Sequence, residues 1–413
     1  MMSESTQILA RLAYNLRWAW HAPTAKVFHS LAPDVWDATH NPIAVMRAVD
    51  DAPQALAGGA ELLAAAGTEL ETYLNRRPEV YGVPRVAYFS PEFAIAECLP
   101  IYSAGVGVVA GDQLKAASDL GLPVMGIGLL YRYGYFRRSI DATGRQGKLY
   151  DRLEVDKVPL RPVFAAEGVP LEIGVPFPGR TVRARAWLAQ VGRVPLYLLD
   201  TDVPQNREDD RWITGYVYGA DNDTRLRQEM LLGIGGARLV QALRLLGLEV
   251  APEVYHLNDG HSAFVAVERA AERMRTMQAS DFFMAHRQVA ESVVFTTHTP
   301  VAAAHDAFPA ELIEAYLADY REQLGLTHDQ FMSLGRRDPA DHEENFSMTV
   351  LALRSAHACN AASQLHGIGS REAREGSEAG APPLSTADSG RRMAAAVVTR
   401  RAEARRSRPA RRV

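Results

Sequence analysis

The chain has 413 residues, 47% hydrophobic and 23% charged, which is enough apolar material for a sizeable core and for two or three domains. Its formal net charge of −4 offers no global attraction to nucleic acid or to an anionic membrane, and no apolar run is long enough to span a bilayer. Cys98 and Cys359 are too few for a disulfide framework or a zinc knuckle, and the polar start Met1–Gln7 has no apolar signal region, so a cytoplasmic protein is expected.

The first predicted element is helical. Ile8, Leu12, Leu16 and Trp20 recur every four residues and would line one apolar face, with Trp18 and Trp36 adding bulk. Asn41-Pro42 marks a break, and a second helical run over Leu56–Leu74 stops before Pro78. Residues 1–80 are therefore expected to form a helical cap packed on the main domain. From Arg85 the pattern changes. Val86–Phe89 reads as a short buried strand, Val108–Leu120 as a helix with Gly121 placed for a left-handed C-cap, and Val124–Leu130 as the next strand. Strand, helix, strand is a βαβ unit and implies a parallel sheet.

Between Tyr131 and Asp202, short β-like runs such as Thr181–Trp187 and Val194–Leu199 predict a β-rich excursion from that sheet. Regular alternation resumes after Asp221. A helix is predicted over Leu226–Leu246, ended by Gly247, then a strand over Val254–Leu257 and a helix from Ser262 to about Met274. A strand over Val293–Thr297 and helices over Leu312–Leu324 and Met348–Leu365 come next. Sequential βα units imply a doubly wound α/β fold. From Ile368 onward there are eleven arginines against five acidic residues and no aromatic residue. Such a segment cannot bury enough apolar surface to offset its ordering entropy, so 368–413 is expected to be a disordered basic tail.

In an open parallel sheet, ligands bind beyond the carboxyl ends of the strands. Three loops there carry unusual residues. The first runs from Ser90–Phe93 to Gly105 and Gly107, immediately before a helix. Glycines at that place let backbone N–H groups approach an anion, and the helix start favours negative charge; a lone G-x-G also suits a tight structural turn. The second holds Asn258, Asp259 and His261, side chains with directed donors and acceptors for hydroxyl groups, while helix capping by Asp259 or Ser262 is the structural alternative. The third gives His298, Thr299 and Pro300, then His305 and Asp306. Two histidines seven apart across a loop do not suit a metal, and none is expected. No G-x-S-x-G elbow or Walker motif appears, which disfavours acyl hydrolysis and nucleoside triphosphate hydrolysis. Glu92, Asp259 and Asp306 could form a glycosidase pair, but sequence gives no separation between them.

Taken together, Tyr88–Phe93, Leu99–Asp112, Gly128–Phe136, Leu226–Glu229, His256–Ser262 and Thr296–Pro300 resemble the α-glucan (glycogen, maltodextrin) phosphorylases in order and spacing, over roughly Arg11–Gly367. Leu12–Leu16 with Trp18 through Trp36 is similar to the added N-terminal region of one bacterial branch. The resemblance implies the GT-B arrangement, two Rossmann-like domains facing across a cleft. This chain would supply the first as residues 81–367, behind the helical region 1–80.

By the same resemblance, the Gly105–Gly107 loop would lie beside a substrate phosphate. Glu92, Asp259 and His261 would contact the glucan acceptor, with Asn258 kept as a substrate-binding candidate from its residue type, and His298 would touch the terminal glucose as the catalytic position. Ala104 stands where the family commonly has glycine, adding a methyl group near the anion path, and Asp221 and Asn222 loosely match a gating loop. The implied reaction is that of a glycosyltransferase: reversible phosphorolysis of terminal α-1,4-linked glucose to glucose 1-phosphate, with retention. The implied cofactor is pyridoxal phosphate, whose 5′-phosphate assists proton transfer. The family's anchoring stretch, of the type E-x-x-x-T-S-N-M-K, is not in this sequence, and Lys115, Lys148 and Lys157 are not taken as substitutes. A truncated copy, inactive alone, is expected. Its partners would be α-1,4-glucan and inorganic phosphate, not nucleic acid or membrane, with a homo-oligomer left open. The alternatives are a non-catalytic glucan-binding remnant and a nucleotide-sugar glucosyltransferase of the same fold.

Overall fold

Six helices come first: α1 (Glu4–Tyr14), α2 (Ala22–Leu31), α3 (Pro33–Thr39), α4 (Pro42–Asp50), α5 (Pro53–Gly58) and α6 (Ala60–Asn75). The computed structural model describes residues 3–50, 53–78, 80–219, 221–277, 281–298, 306–363 and 384–385. Prolines open several of these helices, where the missing N–H costs nothing. Leu9, Leu12 and Ala13 of α1 are buried, but the helix does not run on to Trp20. It stops at Asn15, whose side chain accepts from the Arg17 N–H and starts a tighter 3-10 turn over Leu16–Ala19. Trp18 and Phe28 pack against Trp36 with ring centroids 5.6 and 5.4 Å away.

The main sheet begins at β1 (Val86–Phe89), followed by α7 (Gly105–Leu120) and β2 (Val124–Leu129). Gly121 ends α7 at φ 68°, as its position predicts. Two small hairpins follow, β3 (Arg137–Ile140) with β4 (Gln146–Leu149) and β6 (Phe164–Ala166) with β7 (Val169–Pro170), with β5 (Arg161–Pro162) between them. Next come β8 (Glu172–Phe177), β9 (Arg180–Val191), β10 (Val194–Asp200) and α8 (Glu208–Arg211). The carboxyl-terminal part holds α9 (Asn222–Met230), α10 (Gly236–Leu245), β11 (Val254–Asn258), α11 (Phe264–Met277), α12 (Phe282–Ala290) and β12 (Val293–Thr297). It continues through β13 (Ala307–Phe308), α13 (Ala310–Gln323), α14 (His328–Met332), β14 (Phe346–Ser347), α15 (Met348–Ser355), β15 (Ala358–Ala361) and β16 (Leu384–Ser385).

The sheet order is β16-β15-β12-β11-β1-β2-β10-β9-β5, with β8 on β9. All pairings from β16 to β10 are parallel, and those of β9 with β10, β8 and β5 are antiparallel. The mixed α/β class expected from sequence is thus observed. From β1 the chain moves to β2 on one side and returns to β11 on the other, which puts a topological switch point between β1 and β11.

Three expectations change. The β-rich stretch is an excursion only in part: β3–β4 and β6–β7 form separate hairpins, whereas β10 pairs with β2, and β9, β8 and β5 extend the same sheet antiparallel. The helix predicted over Leu226–Leu246 starts at Asn222 and contains a π turn at Leu231–Gly235. The helix predicted over Met348–Leu365 ends at Ser355, and Ala358–Ala361 becomes a strand. There Cys359 lies opposite Phe295 of β12, so sheet pairing overrides local helical preference. Of the 368–413 tail, only Leu384–Ser385 is described, paired with β15; the rest lies outside the described residues. No described helix is long and apolar enough to cross a membrane.

The helical region docks on the β2 side of the sheet through polar contacts. Asn15 Nδ2 donates to the Gly192 carbonyl at 2.9 Å. Tyr73 Oη meets Ser118 Oγ at 2.5 Å and donates to Asp119 Oδ1 at 2.8 Å, while Arg193 Nε donates to the Tyr73 carbonyl at 2.8 Å. Burial pushes the Tyr73 phenol up to about 12. Tyr73→Phe should therefore lower stability by about 1 kcal/mol, because the Ser118 and Asp119 bonds of the phenol are lost while Ser118 Oγ keeps the Arg193 N–H. Chemical denaturation measures this, and an unchanged unfolding midpoint would contradict the docking role.

Candidate functional site

The three candidate loops lie at the carboxyl ends of β1, β11 and β12, which are adjacent strands. Side-chain hydrogen bonds wire them together. Asn258, the last residue of β11, donates from Nδ2 to Ser90 Oγ at 3.0 Å, and its Oδ1 lies 2.6 Å from His298 Nε2. Ser90 Oγ in turn donates to the Glu92 carbonyl at 2.8 Å. The pairing with Oδ1 places the proton of His298 on Nε2. Asn258 is fully buried and both ends of its amide are engaged. It fixes the first and third loops relative to each other.

Glu92 organises the glycine loop. Its Oε2 accepts from the Ser103 N–H at 2.5 Å and the Ala104 N–H at 3.0 Å, and Oε1 accepts from Tyr218 Oη at 2.9 Å. The carboxylate, only 1% exposed, is an internal anion under the start of α7. Gly107 leaves room for it: a Cβ there would sit 2.9 Å from Glu92 Oε2 and 2.8 Å from Tyr102 Cβ. At Gly105 a Cβ would meet nothing within 4 Å, and this residue is exposed at the helix start, which has no side-chain cap. Ala104 sits at φ −142°, extended backbone that tolerates its methyl group.

Asp259 has φ 68° and ψ 179°, a region almost reserved for glycine. Its Oδ1 accepts from the Gly260 N–H at 2.9 Å and caps a 3-10 turn over Gly260–Ser262, so the capping alternative is realised. Tyr218, with φ 55°, is another positive-φ residue of the site, and its ring lies 5.5 Å from that of His261.

His261 points Nδ1 at Glu229 Oε1 (2.9 Å) and Asp306 Oδ2 (3.0 Å), and Arg225 reaches Asp306 Oδ1 at 2.6 Å. Burial alone would lower the His261 pKa, but Asp306 and Glu229 raise it well above the ordinary histidine value. Burial, reinforced by the charge of Asp306, raises Glu229 well above the usual carboxyl range. Burial works against the Asp306 charge too, yet contacts with His261, Glu229 and Arg225 leave its pKa lowered. One donor atom from each of Glu229, His261 and Asp306 lies within 4.8 Å of the others, a grouping that could hold a cation. Here the positive charge already comes from Arg225 and His261.

The structure thus brings together Glu92, Gly105, Gly107, Asn258, Asp259, His261 and His298 at one end of the sheet. Thr299, Pro300 and His305 lie outside the described residues. Sequence reasoning gave no role to Tyr218, Arg225 or Glu229; the last two fall in or beside the Leu226–Glu229 stretch, but nothing in periodicity links them to His261. It named Asp306 only as one of several carboxylates.

Gly105→Ala should be neutral or stabilising by up to about 1 kcal/mol, as alanine is the better helix former. Gly107→Ala should cost about 1–3 kcal/mol, because Glu92 or Tyr102 must move; equal unfolding midpoints for the two variants would refute the packing argument.

Stability should also depend on pH. His261 and Glu229 keep protons in the fold that the unfolded chain releases from 6.5 and 4.5 respectively, so their stabilisation is lost as pH rises through their raised values. His256 and His286, lowered by burial to about 3 and about 4, remain neutral in the fold, and their contribution is lost as pH falls below 6.5. The two effects oppose each other, so stability should peak near pH 6.5 and decline above it. Glu229→Gln should flatten that alkaline limb in thermal scans; an unaltered limb would show that the cluster does not hold the His261 proton.

Known proteins share much of this chain. Residues 2–99 match a family described as a protein of unknown function, DUF3417. The chain is 42% identical over 394 residues to the glycogen phosphorylase of Mycobacterium tuberculosis (strain H37Rv), covering 90% of this chain and 45% of that protein. It is 40% identical over 377 residues to the maltodextrin phosphorylase of Thermococcus litoralis, covering 88% of this chain and 43% of that protein. To the glycogen phosphorylase of Aquifex aeolicus it is 32% identical over 364 residues, with 87% and 51% covered. The chain spans about half the length of the curated relatives it matches.

Proposed function

The chain is a relative of the α-glucan phosphorylases, and from that premise we propose that it forms one wall of a cleft for phosphorolysis of α-1,4-glucans. The fold proposed is the first Rossmann-like domain of a GT-B pair, residues 81–367 carrying the helical region 1–80. The reaction is transfer of a terminal glucosyl unit to inorganic phosphate, with retention, yielding glucose 1-phosphate. The observation that carries this reading is the hydrogen-bonded line Ser90–Asn258–His298, which holds the first and third candidate loops in one arrangement at the switch-point crevice.

Each residue then has a task. His298, oriented by Asn258, faces the terminal glucose. Asp259 and His261 face the glucan acceptor, with Glu229 and Asp306 holding the His261 ring. The start of α7 at Gly105 meets the phosphate through backbone N–H groups and the helix dipole. Glu92 acts from beneath: with both oxygens engaged, it shapes the loop on which the ligand rests.

Pyridoxal phosphate, the cofactor implied for the family, does not fit the lysines of this chain. Lys26 is exposed on α2, and Lys115 lines a cavity with Trp18 and Trp36. Lys148 lies over the Phe136 ring, and Lys157 pairs with Glu154. None is within the Glu92–His261–His298 loops, so these loops offer the cofactor no lysine anchor.

Asp259→Gly separates function from folding. Glycine relieves a backbone conformation that costs about 1–3 kcal/mol, offsetting the lost cap, so the unfolding midpoint should hold or rise. Binding of maltotriose and of glucose 1-phosphate, followed by saturation-transfer and ³¹P nuclear magnetic resonance, should weaken about tenfold for maltotriose, equivalent to about 1.4 kcal/mol. Full maltotriose binding by this variant would overturn the cleft reading.

A further inference from the structure

The helical region and the main domain share a cavity of about 330 Å³ that the candidate site does not use. From the helical region, Trp18 of the 3-10 turn, Trp36 of α3 and His40 line it. From the main domain come Glu97 and Tyr102, in the loop between β1 and α7, and Lys115 of α7. Both sides are held in place. Phe28 stacks on Trp36 with planes 14° apart, and the His40 ring stands edge-on to Trp36 at 5.9 Å. On the other side, the Ala94 N–H donates to the Gly107 carbonyl at 2.8 Å. A Cβ on Gly111 would lie 2.0 Å from the Ala94 carbonyl oxygen, so this segment is pressed against α7.

The charges of the cavity are unequally answered. His40 Nδ1 lies 2.8 Å from Glu97 Oε2. Lys115 forms no ion pair among the described residues. Burial lowers its pKa, and the charge of Asp112 works against that shift from a distance. An ammonium therefore sits among aromatic rings without a carboxylate in contact.

We propose that this cavity binds a small planar aromatic carboxylate, with its ring against the indoles of Trp18 and Trp36 and its carboxylate on the Lys115 ammonium. The proposal is independent of the glucan reading. A volume of about 330 Å³ falls within the range of small-molecule sites, about 300–1,000 Å³. Indole rings favour flat apolar partners, stacked or edge-on. Glu97 limits the charge of the ligand, since a dianion such as a phosphate monoester would also meet that carboxylate, whereas a carboxylate brings a single charge to a single ammonium. Walls already held in place spare much of the ordering cost of binding. Tyr102 links the cavity to the glycine loop, because a Cβ on Gly107 would lie 2.8 Å from Tyr102 Cβ. A ligand seated here therefore touches a residue packed under the start of α7.

The test is isothermal titration of the whole chain with naphthoate, and with naphthol as the uncharged probe of the same ring. At neutral pH a single naphthoate should bind per chain, about tenfold more tightly than naphthol, equivalent to about 1.4 kcal/mol. Lys115→Met should bring naphthoate down to the affinity of naphthol and leave naphthol unchanged. Ala25→Phe, which places a ring in the cavity from α2, should abolish binding of both probes while the unfolding midpoint stays near that of the wild type. Three results each overturn the proposal: no naphthoate binding by the wild type, equal wild-type affinity for the two probes, or wild-type naphthoate binding by either variant. The comparison of probes on the wild type decides the matter even where a variant fails to fold.

Discussion

A single buried carboxylate sets the shape of the candidate site. Glu92 lies almost wholly out of water, which is tolerable only because both of its oxygens are engaged by donors. Those donors come from two places far apart in sequence: the Ser103–Ala104 backbone at the start of α7 and the phenol of Tyr218 before α9. The carboxylate thus holds the glycine loop down and pulls the 218 region against it. The glycine at 107 is a consequence of this arrangement, since a side chain there would crowd the carboxylate oxygen. Gly105, two residues earlier, has no such constraint and opens outward. Two glycines that look equivalent in a G-x-G pattern therefore do different jobs, one making room inside and one leaving room outside.

The backbone near Glu92 is correspondingly unusual. His40, Tyr218 and Asp259 are the non-glycine residues with positive φ among those described, and two of them belong to this site. Such conformations persist only where the surroundings over-determine them. For Tyr218 the surroundings are the Glu92 hydrogen bond and the His261 ring; for Asp259 they are its own cap on Gly260 and the β11 pairing behind it. In both places tertiary contacts hold the chain where local preference would not.

Much of the frame was readable in the sequence for physical reasons. β1, β2, β11 and β12 are short apolar runs, and Gly121 sits where a left-handed cap is required; such signals are local. The failures share one cause. The later part of the 131–202 stretch joins the main sheet because β10 finds β2, and Met348–Leu365 breaks because 358–361 finds β12. Pairing partners distant in sequence leave no periodic trace. The site divides the same way. Gly105, Gly107, Asp259, His261 and His298 stand in loops whose composition is unusual by itself, whereas Tyr218, Arg225 and Glu229 acquire meaning only through contacts. Asn258 looked like a hydroxyl reader by residue type, but its position at the end of a buried strand turns its amide inward to Ser90 and His298.

The charges around His261 show why residue type alone misleads here. An acid, a histidine and a second acid with donor atoms close together suggest a cation site when counted as ligands. Counted as charges, they describe something else. Burial, reinforced by Asp306, raises the Glu229 carboxyl well above its usual range; Asp306 is lowered against its burial by His261, Glu229 and Arg225; and the two acids raise His261 against its own burial. The acids and the Arg225 and His261 side chains answer one another's charge inside the fold. In the proposed cleft, an anionic reactant and neutral sugar hydroxyls would meet groups already held in place by these contacts, whereas groups that had to reorient during reaction would lose part of their stabilisation doing so.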